Sequence, residues 1–362
     1  MRLGMIGFSG FGGAGIVASE IADGLARRGH EVHYISDAVP PRLVSNTTVT
    51  CHTYPTSPDP LLPAVHVLAE LMQSRRLDLV HAHFAIFNLG AALLARSLSG
   101  RFLPVVLTLH GSDVYGIRPR SATAHALRRA LEACQAVCAV GPFLAREVHT
   151  CIGGGLDLRV VPNFVPDRYR RQDPPARIRR PGEIVLLHVS CFTPVKGVLD
   201  LVRAFALVRE RSPARLVLVG DGPVRREAEV LAQSMGLAPY IRFTGFQRDL
   251  APFFLDADLF LLPSYMESFG LAALEALAHG LPVIASQVGG LPALIRDGVD
   301  GLLVPPGRPE VLAEATLTLL GEPSGLARMA EQAREGAWSR FPSGLALDAY
   351  EDLYRSCLST GD

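Results

Sequence analysis

Two glutamates flank a turn of the phosphate-binding type in the second half of the sequence. The turn follows the apolar run Leu259–Leu262 and opens a helical pattern, so the amides of Gly270 and Leu271 lack helical partners and predict a phosphate site. Glu275 lies about one helical turn further on, where it can accept hydrogen bonds from both ribose hydroxyls of a nucleotide; a solvated helix residue is the alternative. Glu267 stays in the loop, where it can bind hydroxyls of a transferred sugar. The predicted donor-binding residues of this run are Glu267, Ser268, Phe269, Gly270, Leu271 and Glu275.

A lysine follows the first strand-like run of the same half. Lys196 lies in the segment SCFTPVKG at 190–197. Lysine is a compact cation suited to a diphosphate, although a solvent-exposed lysine without a ligand is the alternative. A glycine turn at 219–223 contains Gly222 and by itself indicates only a turn.

Three histidines lie near predicted strand ends in the first half. His110 follows the apolar run Val105–Leu109, at the sheet edge where ligands bind, and can hydrogen-bond a sugar hydroxyl or satisfy its own loop. His81 and His83 are two residues apart and therefore share one strand face. Because further metal ligands are missing, we interpret both as structural histidines, with His83 also able to line an acceptor pocket.

A glycine-rich loop at 9–15 separates the first predicted strand from the first helix. Gly10, Gly12 and Gly15 satisfy the dinucleotide fingerprint, and Asp37 follows the next strand where a ribose-binding acid would lie. An NAD-binding domain is one interpretation, and a tight strand–helix turn is another. We favour a loop whose backbone, at Gly12 and Gly13, contacts the donor phosphate or the acceptor.

Short apolar runs alternate with helical patterns along the whole chain, which predicts doubly wound α/β layers. The predicted strands are Leu3–Phe8, Glu31–Ile35, Leu79–His83, Val105–Leu109, Ala136–Val140, Arg159–Val161, Ile184–Ser190, Arg215–Val219, Ile241–Phe243, Leu259–Leu262, Val283–Ala285 and Leu302–Val304. An arginine- and proline-rich stretch, 167–183, is predicted to be a linker. Two Rossmann-like domains, 1–166 and 184–337, are therefore expected to face each other across a cleft, followed by a final helix within 338–362.

Composition limits the function classes. The 35 basic and 35 acidic side chains cancel, which argues against a sequence-independent nucleic-acid binder. Six scattered cysteines predict reduced thiols and a cytoplasmic location. The sequence has no signal-peptide pattern and no apolar run of about 18 residues, so we expect a soluble protein without an integral membrane segment. We also expect no metal, because no Asp-x-Asp loop lies at a strand end.

At these residues the chain resembles the retaining glycosyltransferases of family 4, which have the two-domain GT-B fold. The most specific similar segments are ESFGL at 267–271 with Glu275, VGGLP at 288–292 and DGVDG at 297–301. Within the family the chain is most similar to the branch that joins N-acetylglucosamine to L-malate in bacillithiol synthesis. That similarity is carried by the segments GHEVH at 29–33, HAH at 81–83, LHG at 109–111, NF at 163–164 and HVS at 188–190.

The resemblance implies a nucleotide-diphosphate sugar as co-substrate, with no further cofactor and no metal. It implies that His110 lines the donor sugar, that Glu267 orients its hydroxyls, and that Lys196 and the helix amides stabilise the leaving diphosphate. Gly222 and Phe246 complete the donor site, the latter in a segment that the family often uses to read the base. The candidate catalytic residues are therefore His110, Lys196 and Glu267. The final helix is expected to return to the first domain.

Two departures from the family concern the diphosphate. Many members carry an arginine five residues before the motif lysine, where this chain has Cys191, and the malate branch carries one three residues before, where this chain has Thr193. Lys196 is then the sole side-chain cation, or Arg225 or Arg248 takes the place of the missing arginine.

Other departures cluster on the acceptor side. The malate branch usually has serine at Ala14, tyrosine at Phe84, Pro-His at Phe87-Asn88 and serine at Gly141. Most of these changes remove a hydrogen-bonding group, which should weaken binding of a dicarboxylate. We therefore expect an acceptor other than malate, bound by Ala14, Phe84, Phe87, Asn88, Thr108 and Asn163.

The sequence thus predicts a retaining transferase that moves a sugar from a UDP- or GDP-sugar to a small polar acceptor in small-thiol or specialised-metabolite biosynthesis. Transfer to L-malate and S-glycosylation of a small thiol are the alternatives within the family. An NAD-dependent oxidoreductase and a non-catalytic sugar-nucleotide sensor are the alternatives outside it. The oligomeric state is left open between a monomer and a homodimer.

Overall fold

The chain folds as two compact units. The computed structural model describes residues 1–10, 12–44, 48–55, 60–171 and 183–359. One unit comprises Met1–Asn163 together with the stretch from Ser343 onward, and the other comprises Phe164–Pro342. The chain therefore leaves the first unit, builds the second, and returns to the first with its last helix.

The first unit is built on a parallel sheet. Its strands are β1 (Arg2–Ile6), β2 (Glu31–Ser36), β3 (Val49–Thr53), β4 (Leu79–His83), β5 (Val105–Leu109), β6 (Ala136–Ala139) and β7 (Leu158–Val160). These strands are parallel and lie in the order β3-β2-β1-β4-β5-β6-β7. Its helices are α1 (Gly13–Arg27), α2 (Leu61–Gln73), α3 (Gly90–Ser99), α4 (Ala122–Glu132), α5 (Pro142–Ile152) and the final helix α13 (Ser343–Ser359). A π-helical turn, Ala85–Leu89, connects β4 to α3.

The second unit repeats this plan. Its strands are β8 (Ile184–Val189), β9 (Ala214–Val219), β10 (Ile241–Phe243), β11 (Leu259–Leu262), β12 (Val283–Ser286) and β13 (Gly301–Val304). They too are parallel, in the order β10-β9-β8-β11-β12-β13. Its helices are α6 (Val198–Arg211), α7 (Arg225–Ser234), α8 (Ala251–Asp256), α9 (Leu271–Ala278), α10 (Leu291–Leu294), α11 (Pro309–Leu320) and α12 (Pro323–Arg340). Three short 3₁₀ helices span Asp167–Arg171, Pro194–Lys196 and Ala238–Tyr240.

The central strands of both parallel sheets are covered on both faces. β4, β5, β11 and β12 are buried at every residue, as expected for strands with helices on both faces. The predicted class, two doubly wound α/β domains, is confirmed.

Each sheet contains one point at which the strand order reverses. In the first unit it lies between β1 and β4, and in the second between β8 and β11. Ligands of open α/β sheets bind outside the carboxyl ends of the strands at such a point. The loops after these four strands are therefore the places to examine for a site.

The structure differs from the predicted elements in a few places. β3 was not predicted, because it is an edge strand with largely polar, half-exposed residues and so lacks an apolar run. The last helix begins at Ser343, after Pro342, whereas Trp338 still belongs to α12. Of the predicted linker, Asp167–Arg171 forms a 3₁₀ helix of the second unit, and 172–182 lies outside the described residues. None of the helices described in the structure has the length and hydropathy that crossing a membrane requires.

Helix α13 is anchored in the first unit by two buried tyrosines. The hydroxyl of Tyr354 lies 2.7 Å from His81 Nδ1, and that of Tyr350 lies 3.1 Å from Thr108 Oγ1. An ion pair of 2.6 Å joins Arg28, the residue after α1, to Asp348. The last helix is therefore part of the core of the first unit.

Candidate active site

Lys196 and Glu267 meet at the reversal point of the second sheet. Lys196 ends the 3₁₀ turn after β8, and Glu267 lies in the loop after β11. Lys196 Nζ donates a 2.7 Å hydrogen bond to Glu267 Oε1, which also accepts from Ser264 Oγ at 3.1 Å. Glu267 is 9% exposed, so its charge is compensated inside the fold. The sequence predicted both residues at this edge but not their pairing.

Two glycines fix the backbone of the Glu267 loop. The amide of Gly290 donates to the carbonyl of Glu267 at 2.9 Å. A Cβ at Gly290 would collide with the carbonyl of Ser268, and one at Gly289, where φ is +58°, would collide with the carbonyl of Glu267. Only glycine allows this close approach of two backbones. The VGGLP segment therefore supports the loop that carries Glu267.

Helix α9 begins where the predicted phosphate turn lies. Gly270 has φ +94°, and the amides of Gly270 and Leu271 donate to no described residue. Such unpaired amides at a helix N-terminus are suited to an anion. Ser268 is half-buried, whereas the ring of Phe269 packs edge-on against Phe341 at 5.6 Å. Phe269, predicted to bind the donor, therefore directs its side chain into the core of the second unit.

Glu275 is held by a tyrosine that the sequence reasoning missed. Glu275 is only 3% exposed, and the hydroxyl of Tyr169 donates to its Oε1 at 2.9 Å. The ring of Tyr169 also lies 4.7 Å from that of His279, whose Nδ1 is 2.7 Å from the carbonyl of Glu275. Tyr169 lies in the stretch predicted as a linker, so only an aromatic residue among arginines and prolines distinguished it in the sequence.

His188 links the two strands at the reversal point. Its Nδ1 donates to the carbonyl of Leu261 at 2.8 Å, so the neutral ring accepts at Nε2 from Ser190 Oγ, 2.7 Å away. Burial lowers the pKa of His188 to about 4, and the charge of Lys196 acts in the same direction. His188 is therefore a neutral cross-link between β8 and β11.

The candidate replacements for the missing arginine differ in availability. Arg225 is paired with Asp221 at 2.7 Å and with Glu229 at 2.8 Å. Arg248 is exposed and forms no ion pair with any residue that the structure describes. Of these two candidates, Arg248 is therefore the one whose charge no described carboxylate compensates.

The two remaining predicted donor residues lie in nearby turns. Gly222 has φ +158° and packs against the backbone of Phe192, with its amide donating to Asp221 Oδ1 at 2.8 Å. Phe246 follows Gly245, which forms an isolated bridge with Gly220, and is 48% exposed.

In the first unit, His110 is paired with His83. His110 Nε2 lies 3.1 Å from His83 Nδ1, and both rings are buried. Burial lowers the pKa of His110 to about 3 and the pKa of His83 well below its usual value, so both imidazoles are neutral. The carboxylate of Asp113 holds this loop by accepting from the amides of Gly111 at 2.7 Å, Ala85 at 3.1 Å and His110 at 3.2 Å. This anchoring role of Asp113 was not predicted.

His81 and Thr108 belong to the interior. His81 contacts Tyr354 through Nδ1 and Thr108 Oγ1 through Nε2, at 2.7 and 2.8 Å. These contacts support the interpretation of His81 as a structural histidine. The Thr108 hydroxyl, predicted to contact the acceptor, is occupied by His81 and Tyr350.

Three predicted acceptor residues follow β4. Phe84 has φ +84°, a strained value for a residue with a Cβ, and its ring packs edge-on against Phe8 at 5.2 Å. Asn88 is buried and donates through Nδ2 to the carbonyl of His83 at 2.5 Å, whereas Phe87 is half-buried.

The glycine loop contributes little side-chain chemistry. Gly12 and Gly13 are exposed at the start of α1, and Ala14 beside them is half-buried. Asp37, the acid of the dinucleotide interpretation, accepts a 2.6 Å hydrogen bond from Ser9. Asn163, the last predicted acceptor residue, is 6% exposed.

The side chains that the structure describes indicate neither metal ligation nor disulfide bonding. Among the residues that the structure describes, no group of three or more His, Cys, Asp or Glu side chains is arranged to hold a metal ion. None of the six cysteines, all of which the structure describes, forms a disulfide bond.

Comparison with known proteins covers both units. A model described as Glycosyltransferase Family 4 matches residues 11–169, and one described as Glycosyl transferases group 1 matches residues 183–322. An N-acetyl-alpha-D-glucosaminyl L-malate synthase of Bacillus anthracis is 33% identical over 99% of this chain and 97% of that protein. A D-inositol 3-phosphate glycosyltransferase of Rhodococcus erythropolis is 41% identical over 47% of this chain and 41% of that protein.

Solved structures share the same architecture. A sucrose-phosphate synthase from Thermosynechococcus elongatus superposes with a TM-score of 0.82 at 23% identity and covers 99% of each chain. The Anabaena protein HepE, solved in complex with UDP and glucose, superposes with a TM-score of 0.82 at 22% identity, covering 98% of this chain and 100% of that one.

Proposed function

The chain belongs to the family 4 glycosyltransferases and has their GT-B fold, and from this premise we propose that it transfers a sugar from a nucleotide-diphosphate donor to a small acceptor with retention of configuration. The proposal rests on one observation. The reversal point of the second sheet brings together Lys196, Glu267 and the unpaired amides at the start of α9.

In this proposal the diphosphate is bound by backbone and cation together. The amides of Gly270 and Leu271 donate to no competing acceptor among the described residues and bind the phosphate oxygens. Lys196 exchanges part of its interaction with Glu267 for the diphosphate. Hydrogen-bond donors that are already oriented stabilise the negative charge that develops on a leaving group. In sugar transfer that charge develops on the diphosphate, so donors placed there would lower the barrier. No divalent cation is required for this neutralisation.

Glu267 and Glu275 have different proposed roles. Glu267 accepts hydrogen bonds from the hydroxyls of the transferred sugar, and Glu275 accepts them from the ribose. The contacts of Oε1 with Lys196 and Ser264 hold the Glu267 carboxylate, and the proposal assigns it to the sugar hydroxyls rather than to the anomeric carbon. We therefore assign attack to the acceptor itself, on the face that the diphosphate leaves, with the leaving phosphate taking the acceptor's proton.

The acceptor is proposed to be a small hydroxyl or thiol compound other than L-malate. Ala14, Phe84 and Phe87 offer no polar side-chain atom, and Asn88 uses its amide nitrogen within the unit. A dicarboxylate needs paired partners for both charges. L-malate remains the second candidate, because the Bacillus anthracis relative named for it matches nearly the whole chain.

The test is a two-stage activity assay. The purified protein is first incubated with UDP-, GDP- and ADP-sugars, and release of the nucleoside diphosphate is measured with and without a panel of acceptors that includes L-malate and small thiols. The anomeric configuration of the product is then read from its proton couplings. An inverted product would overturn the retaining assignment, and failure to use any nucleotide sugar would overturn the proposal as a whole.

A further inference from the structure

We propose that Tyr169 is a positioning residue for the ribose of the donor, acting through Glu275. This inference rests on the proposed function, since it takes Glu275 as the residue that binds the ribose. It adds a residue from the first 3₁₀ helix of the second unit to the set that determines nucleotide affinity.

The contact itself is direct and buried. The hydroxyl of Tyr169 donates to Glu275 Oε1 at 2.9 Å, and the two residues are 4% and 3% exposed. A carboxylate at this depth requires hydrogen bonds to remain charged, and a phenol hydroxyl supplies one without adding a competing charge. The guanidinium of Arg168 lies 4.9 Å from the centre of the Tyr169 ring, which adds a cation–π contact to the same segment.

The ring of Tyr169 is held as firmly as its hydroxyl. It lies 4.7 Å from the ring of His279, which in turn stacks on Phe254 at 5.1 Å with 22° between the planes. His279 Nδ1 lies 2.7 Å from the carbonyl of Glu275. Burial lowers the pKa of His279, so the ring is neutral and its Nδ1–H donates to that carbonyl. The two contacting rings therefore hold Glu275 at two points: Tyr169 binds its side chain and His279 binds its backbone.

Fixing the carboxylate matters because of what it has to recognise. Two adjacent ribose hydroxyls are bound best when the plane of the carboxylate faces both of them. A glutamate has three rotatable bonds, and ordering them on binding would reduce affinity. Tyr169 sets the orientation of the carboxylate before the nucleotide arrives. Its loss should therefore weaken binding of ribonucleotides specifically.

The experiment compares nucleotides with and without ribose hydroxyls. UDP, GDP and ADP are titrated calorimetrically, and the tightest binder is then compared with its 2′,3′-dideoxy analogue. We expect Tyr169→Phe to weaken the ribonucleotide by about three- to tenfold and to leave the dideoxy analogue unchanged. Tyr240→Phe is the matched control, because Tyr240 is 40% exposed and stacks under Arg209 in the same unit.

Glu275→Gln separates this inference from the proposed function. Weaker ribonucleotide binding in Glu275→Gln together with wild-type binding in Tyr169→Phe would overturn the role of Tyr169 alone. Equal weakening of the ribonucleotide and the dideoxy analogue in Tyr169→Phe would show a merely structural effect and overturn it too. Wild-type affinity in Glu275→Gln would overturn the ribose contact itself, and the inference with it.

A double variant covers the case in which Tyr169→Phe is poorly folded. Tyr169→Phe is combined with Glu275→Gln, and the affinities of the four proteins form a cycle. Coupling of threefold or more supports action through Glu275. Additive losses overturn it, whatever the stability of the single variant.

Discussion

Lys196 Nζ lies 2.7 Å from Glu267 Oε1, so the cation proposed for the diphosphate and the carboxylate proposed for the sugar are paired with each other before a donor binds. The two residues come from loops after neighbouring strands and are 71 positions apart. The pair removes a difficulty of the site, since an isolated glutamate beside bound phosphates would repel them. In the proposed complex each side chain has a different partner, so substitutions of Lys196 and of Glu267 should have different effects on activity.

Lys196→Ala should strongly reduce turnover. The leaving diphosphate would lose the side-chain cation that we propose for it, and removing one such group costs about 100- to 1000-fold in kcat. Transfer rates at saturating donor check this. Arg203→Ala is the control, because Arg203 is a half-exposed cation of α6 paired with Asp200 at 2.8 Å. A loss below tenfold in Lys196→Ala would assign the diphosphate to another cation, with Arg248 the first to test.

Glu267→Gln should separate turnover from nucleotide affinity. The sugar would lose a charged hydrogen-bond acceptor, so we expect kcat to fall by about 10- to 100-fold. Affinity for the nucleoside diphosphate alone should be unchanged or higher, because Lys196 is released from its partner. Glu314→Gln, which breaks the exposed pair with Arg211, serves as the control. Weaker binding of the sugar-free nucleotide would contradict the assignment of Glu267 to the sugar.

The parallel strands are the part of this fold that the sequence predicted best. Buried parallel strands read as apolar runs, so twelve of the thirteen described strands lie within two residues of their predicted ends. The exception, Val49–Thr53, pairs on one side only, so its side chains need not be apolar. The strand ends then placed Lys196, His110 and Glu267 at sheet edges, because the carboxyl ends of parallel strands share an edge.

The directions in which side chains point, and the residues that they contact, could not be predicted from the sequence. Phe269 neighbours the phosphate turn but packs its ring on Phe341, more than seventy residues away. Tyr169 was hidden in a stretch whose arginines and prolines are typical of a linker, and its partner Glu275 lies 106 positions further on. Periodicity reports which face of an element is buried, and it contains no information about which distant group that face meets.

The stability of the second unit should depend on pH through His188. The pKa of the buried ring is lowered to about 4, below the usual histidine value of about 6.5. Between these two pH values the unfolded chain therefore binds a proton at His188 that the folded chain does not. Stability is therefore fully present above about pH 6.5 and is lost as the pH falls towards 4, by at most about 1.4 kcal/mol per pH unit for this group. Urea unfolding of wild type and His188→Gln at pH 7.5 and 5 measures the difference in slope.

The control for that measurement is His66→Gln, which removes an exposed histidine of α2 and should leave the pH slope as in wild type. Glutamine at 188 can still donate to the carbonyl of Leu261 and accept from Ser190, so it removes the titration while preserving the cross-link. The same slope in wild type and in His188→Gln would show that the ring is not held neutral in the fold.

Gly270→Ala should damage both the fold and donor binding. Gly270 has φ +94°, and a Cβ there would lie 2.6 Å from Cδ2 of Leu291, which is fully buried and has little room to move. We expect a loss of about 2–3 kcal/mol, from backbone strain together with overpacking, and weaker nucleotide binding because the amide of Gly270 shifts. Gly298→Ala isolates the backbone contribution, since Gly298 has φ +75° but faces open space, so its loss should be about 1 kcal/mol with unchanged nucleotide affinity. Thermal unfolding and nucleotide titration of both variants check this, and equal destabilisation would mean that contact with Leu291 contributes nothing.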